Sequence, residues 1–154
     1  MQKKWTVKHD CRGMSTNEII NVILEDRNVE NIDSLLYPDE ECLIPFEEMK
    51  NIDRAAQIIM ANINNNGSFF VHFDTDTDGV SAGSIAVRWL KQHIDNVFYG
   101  INQGKEHGIA NLDLSLLKEI DVLWIVDSIE TKMFPYDKVL EAGVKHIIIT
   151  DHHL

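Results

Sequence analysis

The stretch FFVHFDTDTDG, residues 69–79, joins a short apolar run to a cluster of aspartates and decides the fold. The continuous apolar character of residues 69–73 predicts a strand that is buried on both faces. From Val80 to His93 the apolar residues follow helical spacing, which predicts a helix after the turn at Gly79. A buried strand that leads through a polar turn into a helix is the repeating unit of α/β folds.

The same alternation continues downstream. Further strands are predicted at residues 96–101, 122–126 and 146–150. Further helices are predicted at residues 112–120 and 136–142. Strands that alternate with helices indicate an α/β fold with a doubly wound parallel sheet, which we assign to residues 67–154.

Residues 1–66 are predicted to form a helical N-terminal lead-in with a structural role. Ser15 and Glu18 have the spacing of a capping box, so a helix is expected to begin there. Residues 28–41 have the composition of a loop, and residues 52–63 return to helical spacing before a plausible stop at Gly67.

Composition restricts the class of protein. With 154 residues and 44% hydrophobic residues the chain can bury a real core, and no apolar run approaches the length of a membrane span. The N-terminus lacks the pattern of a secretory signal, and Cys11 and Cys42 have no paired spacing, so we expect a cytoplasmic protein with reduced thiols. The net charge of −11 counts against nucleic acid unless cations or a further segment supply a positive field.

Acidic and imidazole side chains follow three of the predicted strands. Residues 74–78 carry three aspartates, Asp127 follows the third strand, and residues 151–153 read Asp-His-His. Ligands of open α/β sheets bind outside the carboxyl ends of the strands, so we expect these groups to meet at one edge.

The aspartate cluster by itself has two interpretations. In an extended segment Asp74, Asp76 and Asp78 would point the same way and would repel one another unless cations neutralise them. The alternative is a solvated acidic turn or a helix cap made by Asp78 or Ser81. A calcium loop is disfavoured, because Ile85 stands where such loops have a glutamate.

The order and spacing of these groups resemble the DHH phosphoesterase superfamily. The first motif of that family matches residues 72–79, the second matches Asp127, and the tripeptide that names the family matches residues 151–153. The D-x-D-x-D-G form is similar to RecJ-like exonucleases, as are Leu35-Leu36-Tyr37-Pro38 and Asp53-Arg54-Ala55-Ala56 upstream.

The resemblance implies a role for each matching residue. It implies two metal ions with Asp127 as the bridging ligand, and the histidine ligands favour Mn²⁺ over Mg²⁺. The implied metal ligands are His72, Asp76, Asp78, Asp127 and His152. The implied catalytic residues are Asp76, Asp78, Asp127, His152 and His153, with His153 on the scissile phosphate. Asp74 and Asp151 would hold the ligands in place.

A second loop, residues 104–108, follows the second predicted strand. Lys105 or His107 is expected to hold a substrate phosphate, as the basic, Gly-rich stretch of RecJ-like proteins at this place implies. A flexible glycine turn is the alternative interpretation of the same residues.

The implied function is metal-dependent hydrolysis of phosphodiesters, as a 5′→3′ exonuclease on single-stranded DNA that uses water activated between two metals. One alternative is a DHH phosphodiesterase for short oligonucleotides or cyclic dinucleotides, which suits the acidic composition. A second alternative is a non-catalytic DHH module or an inactive fragment.

Two features depart from the family pattern. Ser128-Ile129 stands where RecJ-like proteins have a small residue followed by glycine. The family pattern also continues past residue 154 with a further metal-binding aspartate and a C-terminal domain that grips the substrate. We therefore expect a separate C-terminal portion or a partner chain to complete the site.

Overall fold

A computed structural model of the chain describes residues 6–102, 108–129 and 136–152. The chain forms two compact units, Met1–Glu48 and Met49–Leu154. In the described ranges no helix combines the length and the hydropathy needed to cross a bilayer.

The first unit contains two short helices, α1 at Thr16–Asp26 and α2 at Ile32–Leu36. The capping box predicted before α1 is confirmed, because Glu18 N–H donates to Ser15 Oγ and Ser15 N–H donates to Glu18 Oε2 at 2.7 Å. Two single turns of 3-10 helix follow, at Glu40–Cys42 and Phe46–Glu48.

Helix α2 lies inside residues 28–41, for which a loop was predicted, so that prediction is wrong over five residues. The helix begins where Asn31 Oδ1 accepts a hydrogen bond from Ser34 N–H at 3.0 Å. Its apolar side chains Leu35 and Leu36 remain exposed. A helix this short shows no apolar periodicity in sequence, which is why the pattern missed it.

The second unit contains a four-stranded, all-parallel sheet with the order β2-β1-β3-β4. The strands are β1 at Phe69–Phe73, β2 at Val97–Ile101, β3 at Val122–Val126 and β4 at His146–Thr150. The helices of this unit are α3 at Ile52–Asn64, α4 at Thr77–Lys91 and α5 at Asp137–Glu141. The α/β fold with a parallel sheet is confirmed, whereas the predicted domain boundary near residue 66 stays a prediction.

Both faces of the sheet are covered, which explains the continuous apolar strands. On one face Val71 and Phe73 belong to a buried cluster with Ile59 of α3 and Leu90 of α4. On the other face Phe70, Leu123 and Ile125 belong to a cluster with Leu117 and Val139, the latter on α5. Alternate residues of β1 and β3 therefore fill separate cores on the two sides, whereas in β2 only Val97 is buried.

The helix predicted at residues 112–120 is wrong, since only a 3-10 turn forms there, at Leu114–Leu117. Asp113 Oδ1 accepts from Ser115 N–H at 2.9 Å and starts that turn. Glu119 has φ +66°, a left-handed conformation that a helix cannot contain. The apolar residues of this stretch pack as a turn instead, with Leu117 and Ile120 buried.

Candidate metal centre

Helix α4 begins at Thr77, three residues before the predicted start. Asp76 is its N-cap, and Asp76 Oδ1 accepts a hydrogen bond from Gly79 N–H at 3.2 Å. The three aspartates therefore do not form one extended row, because Asp74 is buried after β1, Asp76 caps the helix and Asp78 lies in its first turn. The expectation that all three point the same way is wrong, and the cap is Asp76 rather than Asp78 or Ser81.

Glycine is required at position 79 by a close approach of the helix to the end of β1. A Cβ atom there would lie 2.8 Å from the carbonyl oxygen of Asp74 and 2.9 Å from Asp76 Oδ1. Any side chain would force the first turn of α4 away from the sheet. Gly79 thus lets Asp78 stand directly beside the strand ends.

Asp127 follows β3 in a left-handed conformation, with φ +52°. Its N–H donates to the carbonyl oxygen of Thr150 at 2.8 Å, which ties it to the end of β4. Its side chain is buried, at 6% exposure for the residue. A non-glycine residue in this region costs about 1 kcal/mol or more and persists where the surrounding structure holds it, which is common at functional sites.

The carboxylates of Asp78 and Asp127 meet the imidazole of His152 at the carboxyl edge of the sheet. Ligand atoms of the three residues lie within 4.8 Å of one another. His152 Nε2 is 3.2 Å from Asp127 Oδ1 and 3.6 Å from Asp78 Oδ2. Two carboxylates this close repel each other, and a divalent cation between them would offset that repulsion. Oxygen and imidazole donors together suit Mn²⁺ and similar ions.

His72 lies apart from that cluster. It is buried, and its Nε2 is 3.1 Å from Asn102 Oδ1 and 3.2 Å from the carbonyl oxygen of Gly108. Burial lowers the pKa of the His72 imidazole, although the hydrogen bonds to Asn102 and Gly108 and the nearby charge of Asp74 act in the opposite direction. The metal-binding roles of His72 and Asp76 stay predictions.

The two aspartates that were expected to hold ligands in place do make supporting contacts. Asp74 Oδ1 accepts from Asn102 Nδ2 at 2.5 Å and from the Ser128 hydroxyl. Asp151 Oδ2 accepts from Ile129 N–H at 2.8 Å. The contacts with Ser128 and Ile129 brace the loop that follows β3, and the supporting roles of Asp74 and Asp151 stay predictions.

Three predicted residues, Lys105, His107 and His153, lie outside the described residues. Their expected contacts with a substrate phosphate stay predictions.

Sequence reasoning missed Asn102, which joins His72, Asp74 and Ser128 through its side chain. Asn102 directly follows β2, so the rule that selected Asp127 would have selected it too. An asparagine after a strand is most often a turn residue, so its position alone did not indicate a functional role.

Known proteins share both sequence and fold with this chain. Over 133 residues it is 31% identical to YorK of Bacillus subtilis strain 168, named as a candidate single-strand DNA-specific exonuclease derived from the SPbeta prophage. The YorK protein of Bacillus phage SPbeta matches equally. Each match covers 85% of this chain and 23% of the relative, so the chain spans about a quarter of their length.

A solved structure, RecJ from Thermus thermophilus in complex with Mn²⁺, has the same fold with a TM-score of 0.59. It is 22% identical, and the match covers 88% of this chain and 19% of RecJ. No protein-family model matches the sequence. The resemblance inferred from the motifs is confirmed by these two findings together: the chain is similar in sequence to the YorK proteins and shares its fold with RecJ.

Proposed function

We propose that this chain carries the metal-binding centre of a phosphodiester hydrolase that removes nucleotides from the 5′ end of single-stranded DNA. The observation that carries the proposal is the convergence of Asp78, Asp127 and His152, which come from three separate segments, within 4.8 Å. The names of the YorK relatives and the Mn²⁺ complex of RecJ support it.

The donor set fits one or two divalent ions, Mn²⁺ or Mg²⁺. Asp78, Asp127 and His152 would hold an ion, and His72 and Asp76 remain the proposed additional ligands. Ions bound there would supply a water of lowered pKa and stabilise negative charge on the phosphoryl group. The carboxylate of Asp127 is buried, which suits the fixed, bridging ligand proposed there. The carboxylate of Asp78 is exposed, which suits a ligand that is open to solvent.

The chain's own residues fix this arrangement before any ligand binds. The backbone bond from Asp127 to Thr150 and the bond from Ile129 to Asp151 hold the ends of β3 and β4 together. The capping contact between Asp76 and Gly79 orients the first turn of α4, which carries Asp78. The side chain of His152 is exposed, so it is open to an incoming phosphate.

Charge is the main difficulty for a DNA substrate, because the chain has a net charge of −11. Phosphate contacts by lysine and arginine normally dominate DNA affinity. We propose that bound cations and a separate C-terminal portion or partner chain supply the positive field. The same charge favours a second candidate function, the hydrolysis of short oligonucleotides or cyclic dinucleotides, since small substrates need no long basic groove.

The test is hydrolysis of 5′-labelled single-stranded DNA, a dinucleotide and a cyclic dinucleotide in Mn²⁺, by wild type, Asp78→Asn and Asp53→Asn. Asp53 is the matched control, because it is the exposed acid in the first turn of α3 as Asp78 is in α4. We expect labelled mononucleotide from DNA, lost only in Asp78→Asn. Turnover of the small substrates alone would favour the second candidate, and equal turnover by Asp78→Asn would reject the site.

A further inference from the structure

Asn102 has both ends of its carboxamide engaged at the carboxyl edge of the sheet. Its Oδ1 lies 3.1 Å from His72 Nε2. Its Nδ2 donates to Asp74 Oδ1 at 2.5 Å and to Ser128 Oγ at 3.0 Å. Its backbone N–H donates to the carbonyl oxygen of Phe73 at 3.2 Å. One residue therefore joins the ends of β1, β2 and β3.

The contact with Asp74 decides which way the carboxamide faces. A carboxylate oxygen only accepts hydrogen bonds, so the group of Asn102 that lies 2.5 Å from it must be the NH₂. The reversed amide would bring two oxygens together at that distance. Asn102 Oδ1 is consequently directed at His72.

The same reasoning then applies to the imidazole of His72. Its Nε2 faces two oxygens, Asn102 Oδ1 and the carbonyl of Gly108 at 3.2 Å, and neither of these can donate. Nε2 must therefore carry the ring proton. In the neutral ring the lone pair is then confined to Nδ1.

Nδ1 is kept apart from competing groups. The ring is buried, at 3% exposure, and Nδ1 has no hydrogen-bond partner among the residues that the structure describes. The neighbour on β2 is Gly100, where an added Cβ would lie 3.3 Å from Nδ1. The glycine leaves room beside a nitrogen that would otherwise be covered by a side chain.

We propose that Asn102, oriented by Asp74, is a positioning residue that fixes His72 as the Nε2–H tautomer and leaves Nδ1 as its only atom able to bind a cation. The assignment of the tautomer stands on geometry alone. Its consequence for a cation rests on the proposed function, because it makes Nδ1 the atom through which His72 would act as a ligand.

The Ser128 hydroxyl completes a hydrogen-bonded relay that consists of Asp74, Asn102, His72 and Ser128. It donates to Asp74 and accepts from Gly108 N–H at 3.0 Å and from Asn102. Ser128 directly follows Asp127, so the unit that orients His72 also braces the left-handed residue in the acidic cluster. Partners that orient ligands in this way typically change metal affinity by about 10–100-fold when removed.

The test is nuclear magnetic resonance of the ¹⁵N-labelled protein at pH 8 without metal, where the imidazole is neutral. Long-range proton–nitrogen correlations distinguish the two tautomers, and His72→Gln identifies the signals of that ring among the seven histidines. We expect a slowly exchanging Nε2–H on His72, with the Asn102 side-chain amide protons near the Ser128 β-protons. A protonated Nδ1, or amide protons near the His72 ring, would overturn the proposal.

Substitutions within the relay, with a matched control outside it, distinguish an effect on the His72 tautomer from a general effect on folding. Asp74→Asn removes the carboxylate that orients Asn102, so we expect a mixture of His72 tautomers. Asp95→Asn, at an exposed site before β2, is the matched control and is expected to leave the His72 signals unchanged. If Asp74→Asn does not fold, Ser128→Ala, which deletes only one hydroxyl, is expected to broaden or shift the Nε2–H signal. Unchanged His72 signals in the folded variant would overturn the role of the relay.

A titration with Mn²⁺ connects the relay to the proposed function. We expect Asn102→Leu to weaken Mn²⁺ binding by about 10–100-fold. Wild-type protein that binds no Mn²⁺ would count against the proposed function, whereas the metal-free spectra would still decide the tautomer. A folded Asn102→Leu protein that binds Mn²⁺ as tightly as wild type would overturn the positioning role.

Discussion

Strand β3 has an aspartate at each end, and the two ends differ in what surrounds them. Asp121, directly before the strand, accepts from Lys145 Nζ at 2.6 Å and from Ser68 N–H at 2.8 Å. Asp127, directly after it, has a buried carboxylate beside the carboxylate of Asp78 and the imidazole of His152. Asp121 is paired with a lysine, whereas Asp127 lies beside both a second acid and an imidazole.

The amino end of the sheet has the contacts of a structural site, whereas the carboxyl end has those of a candidate metal site. At the amino end, the hydrogen bonds from Lys145 and Ser68 lower the pKa of Asp121. At the carboxyl end, left-handed backbone and adjacent like charges are maintained although both are unfavourable. A cation bound at this edge would offset the repulsion between the two carboxylates.

The largest expected effect is on hydrolysis, and it should separate Asp127→Asn from Asp121→Asn. Asparagine tolerates the left-handed conformation, so Asp127→Asn removes only charge from the cluster. We expect it to lower kcat by more than about 100-fold, beyond the loss seen for outer partners of a metal, while Asp121→Asn keeps wild-type kcat. Steady-state kinetics on the preferred substrate measure this, and equal losses in both variants would erase the distinction between the ends.

The two ends of β4 allow the same comparison with histidines. His152 follows the strand and lies in the cluster, whereas His146 begins the strand and is exposed. We expect His152→Ala to weaken Mn²⁺ binding by about 10–100-fold and His146→Ala to leave it unchanged. Calorimetric titration of both variants decides, and weaker binding by His146→Ala would contradict the assignment of chemistry to one edge.

The free energy of unfolding should show the opposite order, with a larger loss in Asp121→Asn than in Asp127→Asn. Asp121→Asn removes a charged hydrogen-bond acceptor from a partly buried site and should cost about 1–3 kcal/mol at pH 7, measured by urea unfolding. The folded pKa of Asp121 lies below its ordinary value of 3.8, so its contribution is present above that pH and is lost as the pH falls through the folded pKa. The difference between wild type and Asp121→Asn should therefore shrink below about pH 4.

Asp127→Asn is the control for that measurement, because it relieves repulsion between Asp127 and Asp78. Its free energy of unfolding in the absence of metal is expected to equal or exceed the wild-type value. A larger loss of stability in Asp127→Asn than in Asp121→Asn would mean that both ends are structural.

The smallest expected effect concerns the partner of Asp121. The Lys145 side chain is 69% exposed, and exposed ion pairs contribute less than about 1 kcal/mol. We expect Lys145→Met to shift the free energy of unfolding by less than Asp121→Asn does, since the bonds from Ser68 remain. An equal shift would show that the ion pair, rather than the hydrogen bonds of Ser68, dominates at this end.

Much of the fold could be predicted from sequence because the buried strands are continuous apolar runs. The bounds of β3 and β4 match the predicted residues, and β2 differs by one residue. Ligands gather at the carboxyl ends of parallel strands, and this rule correctly predicted that Asp127 and His152 lie close together. These inferences depend on hydrophobic periodicity, which a single sequence displays directly.

Features that depend on side-chain hydrogen bonds could not be predicted in this way. The cap at Asp76 moved the start of α4 and separated the three aspartates. Similarly, Asn102 became important only when folding placed His72 and Asp74 beside it. The contacts of Asn102 join residues about 30 positions apart, and no local pattern in the sequence encodes them.

The most direct test of the central claim is calorimetric titration of Mn²⁺ into wild type and Asp127→Asn at pH 7.5. If the three strand-end segments form one metal site, wild type binds Mn²⁺ and the loss of a single charge at Asp127 abolishes that binding or weakens it by more than about 100-fold. Absence of binding by wild type, or equal binding by Asp127→Asn, would contradict a metal centre built on Asp78, Asp127 and His152.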